Sequence, residues 1–149
     1  MMARYAQKTT VPVEKSRAEI EGILQRYGAS AFCYGYNNTT GDSQVEFCAN
    51  ERRIRFMLPM PSADGISVAK FEQTKRQRWR ALLISIKAKL EAVECGISEF
   101  EDEFLAFVVD PTTRRTVGEG LRPLLAESYA GSPHVLRLGY TPEGAGNGK

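Results

Sequence analysis

The most regular alternation of apolar and polar positions in the chain lies between residues 72 and 96. Large apolar side chains recur there at steps of three and four residues, namely Trp79, Leu82, Leu83, Ile86, Leu90 and Val93. This spacing places them along one stripe of an α-helix. Gly96 follows as a typical C′ residue. The pattern predicts a long central helix that begins either at Ser67 or at the capping-box pair Thr74 and Gln77.

The opposite side of this helix is also apolar, but its side chains are small. At about 100° per residue, Ala81, Ile84, Ala88 and Ala92 fall there. A helix that is apolar on two sides needs neighbours on both. We therefore expect the protein to form a homo-oligomer.

Three stretches before the central helix alternate in the way that β-strands do, and they span residues 31–36, 43–49 and 52–58. Their registers agree if Tyr36 pairs with Ser43 and if Asn50 and Glu51 form a two-residue turn. The resulting pairs are Tyr34 with Val45, Phe32 with Phe47, Phe47 with Ile54 and Val45 with Phe56, all on one face, while Glu46 lies opposite Arg55 on the other. This agreement predicts a three-stranded antiparallel meander.

The segments on either side of these elements are predicted to be helices and a hairpin. Ser16 and Glu19 match a capping box at the start of a helix that Gly28 ends. After Gly96, an acidic helical stretch with Ile97, Phe100 and Phe104 as its apolar stripe leads to an extended segment at 106–109. A turn at 110–113 and a return strand at 114–117 follow. The last helix, at 121–129, tolerates Pro123 only in its first turn.

The chain is therefore expected to be one α+β domain over residues 1–138. Residues 1–13 are either a flexible arm or a short edge strand, and the Gly-rich residues 139–149 form a disordered tail. The length of 149 residues and the 42% hydrophobic content suit a single soluble domain. The sequence shows neither a membrane-length apolar run nor a signal peptide, so we expect a cytoplasmic protein without membrane contact.

The sequence contains no pattern that is typical of a catalytic, metal or cofactor site. The single histidine, His134, has no associated nucleophile. The three cysteines, Cys33, Cys48 and Cys95, are odd in number and lack metal-ligand spacing, so reduced thiols are the simplest interpretation. There is no Gly-rich phosphate loop. These observations predict neither an enzyme nor a cofactor.

Charge is distributed unevenly around the central helix, although the net charge is only +2. Residues 52–89 contain ten Lys or Arg against Asp64 and Glu72, whereas residues 90–110 contain seven acidic residues and no basic one. This order is the reverse of the one that the helix macrodipole favours. Acidic side chains near the N-terminus and basic side chains near the C-terminus each stabilise a helix by about 0.3–1 kcal/mol at exposed sites. Helix stability alone would not select the observed order, whereas an anionic partner or an acidic surface on another subunit would favour it.

The basic residues are the candidates for a nucleic-acid site. They are Arg53, Arg55, Lys75, Arg76, Arg78, Arg80, Lys87 and Lys89. On a helix, Arg76, Arg80 and Lys87 share one edge. Contact with a phosphate backbone is one interpretation of the cluster, and binding of another anion is a second. The third is a solvated edge whose cations pair with the acidic segment that follows, within one chain or between two.

Aromatic residues in the first strand are compatible with base stacking, but a different role is favoured. Phe32, Tyr34 and Tyr36 alternate along it, as they do in platforms that bind single-stranded bases. The same face also carries Val45 and Phe47, which favours a place in the core. Tyr36, at the strand end, is expected to be the most exposed of the three.

Several segments resemble a group of small proteins encoded by phages and prophages, over nearly the full length of the chain. They are Tyr5-Ala6, Thr9-Thr10-Val11-Pro12-Val13, Arg78-Trp79-Arg80-Ala81-Leu82-Leu83, Lys87-Ala88-Lys89-Leu90-Glu91-Ala92-Val93-Glu94 and Arg115-Thr116-Val117-Gly118-Glu119. Members of that group are mostly described only as hypothetical phage proteins. The resemblance implies a phage setting and a bacterial host, and it transfers no functional residues.

Two hypotheses fit that setting. The first is a nucleic-acid-binding accessory protein of phage replication or recombination that contacts phosphates through the basic flanks of the central helix. The second is a protein-interaction module that inhibits a host enzyme or defence system through the acidic segment 91–110. Its candidate residues are Glu99, Glu101, Asp102 and Glu103. The two hypotheses assign activity to opposite surfaces.

Overall fold

A computed structural model describes residues 6–131 of the chain. Its elements are helix α1 (Val13–Tyr27), strands β1 (Ala31–Tyr36), β2 (Ser43–Ala49) and β3 (Arg52–Leu58), and helices α2 (Val68–Glu94), α3 (Phe100–Phe104) and α4 (Val117–Tyr129), with a 3-10 turn at Leu105–Phe107. This order confirms the predicted α+β fold. The predicted tail at 139–149, His134 and residues 1–5 lie outside the described residues.

The sheet has the order β1-β2-β3 and the predicted antiparallel register. Tyr36 pairs with Ser43, Phe47 lies between Phe32 and Ile54, and Glu46 faces Arg55. Asn50 and Glu51 link β2 to β3 with φ angles of 49° and 60°. Two successive left-handed residues are typical of a tight hairpin turn whose twist matches that of the strands. The turn thus fixes the register that brings the apolar residues to one face.

The core lies between that face and the apolar stripe of α2. Trp79, Leu83 and Ile86 of the stripe are buried together with Val45 and Ile54 of the sheet. Helix α1 adds Ile20 and Leu24, and α3 adds Phe100 and Phe104. The ring of Phe104 meets the rings of Phe47 and Phe56 edge-on, with centroids 5.9 and 6.3 Å apart. The stripe predicted from the spacing is therefore the centre of the fold.

The start of α1 differs from the prediction. The helix begins at Val13, and the amides of Lys15 and Ser16 bond to the carbonyl of Pro12 at 3.2 Å. Ser16 therefore lies inside the first turn, where its side chain is buried and its hydroxyl has no hydrogen-bond partner within residues 6–131. The predicted capping box of Ser16 and Glu19 is wrong, because Pro12 is the N-cap and Ser16 is already a helical residue.

Helix α2 takes the earlier of its two predicted starts. The Ser67 hydroxyl accepts a hydrogen bond from the Lys70 amide at 3.2 Å, which is an N-cap. The Thr74 hydroxyl instead donates to the Lys70 carbonyl at 2.9 Å, one turn back within the helix. At the other end, Gly96 has a φ of 79° and its amide bonds to the Val93 carbonyl, so the predicted C-terminal stop is confirmed.

The C-terminal region forms fewer strand contacts than predicted. Ile97 is 81% exposed and does not belong to the apolar stripe of α3. The predicted hairpin is reduced to one isolated bridge between Val109 and Thr116, while the neighbouring Val108 forms a bridge to Ile54 of β3. The segment cannot continue as a strand because the 3-10 turn at Leu105–Phe107 bends the chain first.

Helix α4 begins four residues earlier than predicted. Thr116 and Glu119 form a reciprocal capping box there. Pro123 is consequently the seventh helical residue and does not lie in the first turn as expected. Proline has no amide hydrogen, so it cannot donate a hydrogen bond to the Glu119 carbonyl. The guanidinium of Arg115 donates to that carbonyl at 3.1 Å and replaces the lost bond.

The small-residue side of α2 is open in the described chain. Ala81 and Ala88 are exposed, and Ile84 is 41% exposed. Helix α4 packs against the 3-10 turn. The predicted homo-oligomer stays a prediction. None of the helices within residues 6–131 is long and apolar enough to cross a membrane.

The docking of α4 depends on a close approach at Gly118. A Cβ at this position would lie 2.9 Å from the Ala106 carbonyl oxygen. We expect Gly118→Ala to lower the free energy of unfolding by about 1–3 kcal/mol, since the helix must move away. Urea denaturation followed by circular dichroism measures this difference.

Gly120→Ala is the matched control, because it lies in the same helix and its Cβ would meet nothing within 4 Å. There the better helix propensity of alanine should raise the free energy of unfolding by up to about 1 kcal/mol. Equal effects of the two substitutions would contradict the proposed docking contact.

Candidate nucleic-acid interface

The structure separates the eight predicted basic residues into three places. Lys75, Arg76, Arg80 and Lys87 lie on the edge of α2 that faces α1 or the groove beside it. Arg78 and Lys89 lie on the other edge of the helix. Arg53 and Arg55 lie on the outer face of the sheet, because their neighbours Ile54 and Phe56 point into the core. The structure therefore does not form one continuous surface from all eight.

The two arginines of the sheet are held by the buried carboxylate of Glu46. Arg55 Nε donates to Glu46 Oε1 and Arg53 Nε donates to Glu46 Oε2, each at 2.7 Å. Gln44 Nε2 also donates to Oε1 at 2.6 Å. Arg55 further donates to the carbonyl of Arg114 at 2.9 Å, which links the sheet to the turn before α4. These two arginines hold the outer face of the sheet together.

The pKa of Glu46 reflects two opposing influences. Burial acts to raise the pKa of this carboxyl, but the hydrogen bonds and positive charges of Arg55 and Arg53 outweigh burial and hold the pKa below its ordinary value. The same contact raises the pKa of Arg53. The cluster is thus ionised at neutral pH and contributes to folding stability there.

The basic residues on the second edge of α2 also make contacts within the protein. Arg78 donates to the carbonyl of Pro59. Lys89 Nζ donates to the carbonyl of Glu103 at 2.9 Å and lies 3.9 Å from its carboxylate. The lysine also lies 5.5 Å from the centre of the Phe107 ring. Lys89 therefore fastens α3 to α2, as the pairing interpretation expected.

The acidic candidates are divided in the same way. Glu101 accepts a hydrogen bond from Arg52 at 2.6 Å, and Glu103 pairs with Lys89. Glu99 precedes α3 as its N-cap residue, and both Glu99 and Asp102 are exposed. Two of the four carboxylates thus help to position α3.

A groove opens between β1, the start of α1 and the first half of α2. Its volume is about 450 Å³, within the range of small-molecule sites. It is lined by Thr10, Pro12, Val13, Glu14, Arg17, Tyr34, Tyr36, Ser43, Glu72, Lys75, Arg76 and Trp79. We call it the tyrosine groove.

The tyrosines of this groove are exposed, which corrects the core assignment favoured by the sequence. Tyr34 is 51% and Tyr36 is 59% exposed, whereas Phe32 is partly buried against the core. The reason is that β1 is an edge strand, and its second half borders the open groove between α1 and α2 and not the packed core. Tyr36 is the more exposed of the two, as expected.

Cations approach the tyrosines from both helices. The guanidinium carbon of Arg17 lies 4.1 Å from the centre of the Tyr34 ring, a cation–π contact. Arg76 donates to Gln73 Oε1 at 2.6 Å, while its buried Nε has no hydrogen-bond partner in the described part of the chain. Lys75 lies 3.7 Å from Glu72. The groove thus contains three cations and two carboxylates.

A second groove continues between α1 and α2, with a volume of about 320 Å³. We call it the helix groove, and its cations are Lys15, Arg26 and Lys87. These three residues are exposed and enter no ion pair within residues 6–131. Arg80 also lies on this side of α2, where it pairs with Glu19 at 3.2 Å.

Sequence reasoning missed the cations of α1, namely Lys15, Arg17 and Arg26. A signal for two of them was present, because Lys15 and Arg26 are 11 residues apart, as are Arg76 and Lys87. Eleven residues are three helical turns, so each pair lies along one line of its helix. The packing of α1 on α2 brings Lys15, Arg26 and Lys87 to the same groove.

Within residues 6–131, no group of three or more His, Cys, Asp or Glu side chains is arranged to hold a metal ion. The comparisons with known proteins identify no relative, since no family model, curated protein or solved structure matches the chain.

The Glu46 cluster makes stability depend on pH. Because folding lowers the pKa of Glu46, the carboxylate makes its full contribution to the free energy of unfolding at pH values above its unfolded pKa of about 4.3. This contribution is lost as the pH falls further. We expect Glu46→Gln to lower the free energy of unfolding by about 1–3 kcal/mol at pH 7, since charged hydrogen bonds are replaced by neutral ones. The difference from the wild type should shrink below pH 4.

Urea denaturation between pH 3 and pH 7 measures this effect, with Glu21→Gln as the control. Glu21 is an exposed carboxylate on α1, and its replacement should change the stability little at either pH. A Glu46→Gln difference that stays constant from pH 7 to pH 3 would show that the carboxylate is not the source of the stabilisation.

Proposed function

We propose that the protein binds nucleic acid, and that the cations of the helix groove and the tyrosine groove contact its phosphate backbone. The observation that supports this function best is the convergence of Lys15, Arg26 and Lys87 on one groove without internal carboxylate partners. Exposed unpaired cations in a row are suited to phosphate contacts.

The dimensions of the surface fit several phosphates. Arg76 and Lys87 are 11 residues apart on α2, which corresponds to about 16 Å along the helix axis. Phosphates of one DNA strand are spaced about 3.4 Å apart along the duplex axis, so this length spans several nucleotides. The cations of α1 widen this surface and increase the number of contacts with phosphates.

The biological setting is part of the proposal. We infer an accessory protein of phage replication or recombination that acts in the cytoplasm of the bacterial host, and this setting rests on the sequence resemblance alone. The acidic segment is the weaker candidate surface, because Glu101 and Glu103 are already paired with Arg52 and Lys89.

Fluorescence anisotropy with labelled single- and double-stranded DNA and RNA, at 50 and 200 mM salt, tests the proposal. With about four phosphate contacts, affinity should fall roughly 100-fold between the two salt concentrations. Lys15→Glu combined with Lys87→Glu should weaken binding at 50 mM salt at least tenfold. It should also reduce the slope of the salt dependence by about two, since two contacts are lost.

The matched control is Lys70→Glu combined with Arg122→Glu, which changes the net charge equally at exposed positions outside both grooves. It should retain most of the affinity. Absence of binding to every nucleic acid at 50 mM salt would refute the proposed function. Equal losses in the two double variants would show that only the total charge matters.

A further inference from the structure

We infer that the tyrosine groove selects single-stranded nucleic acid, by stacking an unpaired base on Tyr36 while Arg17, Lys75 and Arg76 face the adjoining phosphate. This inference rests on the proposed function and specifies its ligand. It goes beyond phosphate binding because the two tyrosines add a contact that a duplex cannot use.

The Tyr36 ring is available for stacking. It makes no ring–ring or cation–π contact within residues 6–131, and it is 59% exposed. Its position on β1 is fixed by pairing with Ser43 in the sheet. An aromatic side chain on a rigid strand loses little conformational freedom when a base covers it, which favours stacking.

Tyr34 extends the same surface. Residues two apart on a strand point to the same face and lie about 7 Å apart. The ring of Tyr34 already carries the guanidinium of Arg17. A planar cation stacked on an aromatic ring offers its hydrogen-bond donors at its edge, where a phosphate next to the stacked base can accept them.

Arg76 supplies a second, preorganised cation. Its guanidinium is held by Gln73, which donates its own amide hydrogens to the carbonyls of Gln7 and Thr9 at 3.2 and 2.9 Å. The Nε group is buried without a partner in the described chain. A buried donor of this kind is unfavourable, and local rearrangement around a bound phosphate would satisfy it.

The charge balance of the groove favours a single phosphate group over a polyphosphate, and the surface beyond Tyr36 favours a strand over a mononucleotide. Glu14 and Glu72 offset two of the three cations, so the lining is suited to one phosphate and not to a polyphosphate. Tyr36 also lines a further groove on the other side of β1, together with Asn37, Asn38 and Gln44. A nucleic-acid strand that passes over Tyr36 can therefore continue into the grooves on both sides of β1, whereas a mononucleotide can occupy only one of them.

Stacking on Tyr36 requires a base whose face is not covered by its neighbours. In a duplex the bases are stacked and paired, so only a single strand gains this contact. We expect single strands to bind at least tenfold more tightly than duplexes of the same length at 50 mM salt.

The test is fluorescence anisotropy with a labelled single-stranded oligonucleotide and the matching duplex, for the wild-type chain, Tyr36→Ala and Tyr36→Phe. Tyr36→Ala should weaken single-strand binding about tenfold and leave duplex binding unchanged. Tyr36→Phe keeps the ring and should bind as the wild type does. Tyr129→Ala, at an exposed tyrosine of α4, is the control and should have no effect.

The alternatives give distinct results. If Tyr36→Ala binds single strands as tightly as the wild type, the inference is wrong and the proposed function stands. If AMP or dTMP displaces the oligonucleotide at an equal concentration of nucleotide units, the groove is a mononucleotide site and the inference is wrong. Absence of binding to any strand or duplex refutes both the inference and the proposed function.

Discussion

Burial of one apolar stripe of α2 against the sheet is the interaction on which the rest of the structure depends. Trp79, Leu83 and Ile86 pack over Val45 and Ile54, and α1 and α3 bury their own apolar residues against the flanks of this layer. Residues that flank the stripe must therefore lie where α2 meets its neighbours. This geometry explains why the cations of one helix have different roles. Lys89 fastens α3, Arg80 pairs with α1, and Lys87 lies exposed in the helix groove.

The candidate site follows from the limited extent of that covering layer. The helices cover Phe32 at the start of β1 but leave Tyr34 and Tyr36 beside an open groove. A sheet of three strands has two edges and little width, so an edge strand is easily left half covered. The aromatic residues of β1 are therefore part of one continuous apolar face whose inner end is core and whose outer end is surface. Their proximity to Arg17 and Arg76 gives this outer end its mixed aromatic and cationic character.

The fold could be predicted from the sequence where local patterns agree with one another. The meander was predictable because Asn50 and Glu51 set a register that also aligns Phe47 with Ile54, and α2 was predictable from its long stripe. The site was predictable only in part. The sequence shows that Arg76 and Lys87 share an edge, but the packing of α1 decides that Lys15 joins them. The exposure of Tyr34 depends on the groove that α1 and α2 leave open beside β1, and alternation along the strand contains no information about this groove. The start of α1 was missed because Ser16 and Glu19 match a capping box, whereas the helix already begins at Val13, after Pro12.

Gln73 connects the tyrosine groove to the segment that precedes α1. Its amide joins Arg76 on one side to the backbone of Gln7 and Thr9 on the other. The orientation of the guanidinium and the attachment of the N-terminal segment thus share one hydrogen-bond network, so their free energies are coupled. Such coupling is reciprocal. An anion that binds Arg76 changes the stability of this attachment, and the attachment in turn changes the affinity of Arg76 for the anion. The backbone of Gln7 and Thr9 is in this sense part of the support of Arg76 in the groove.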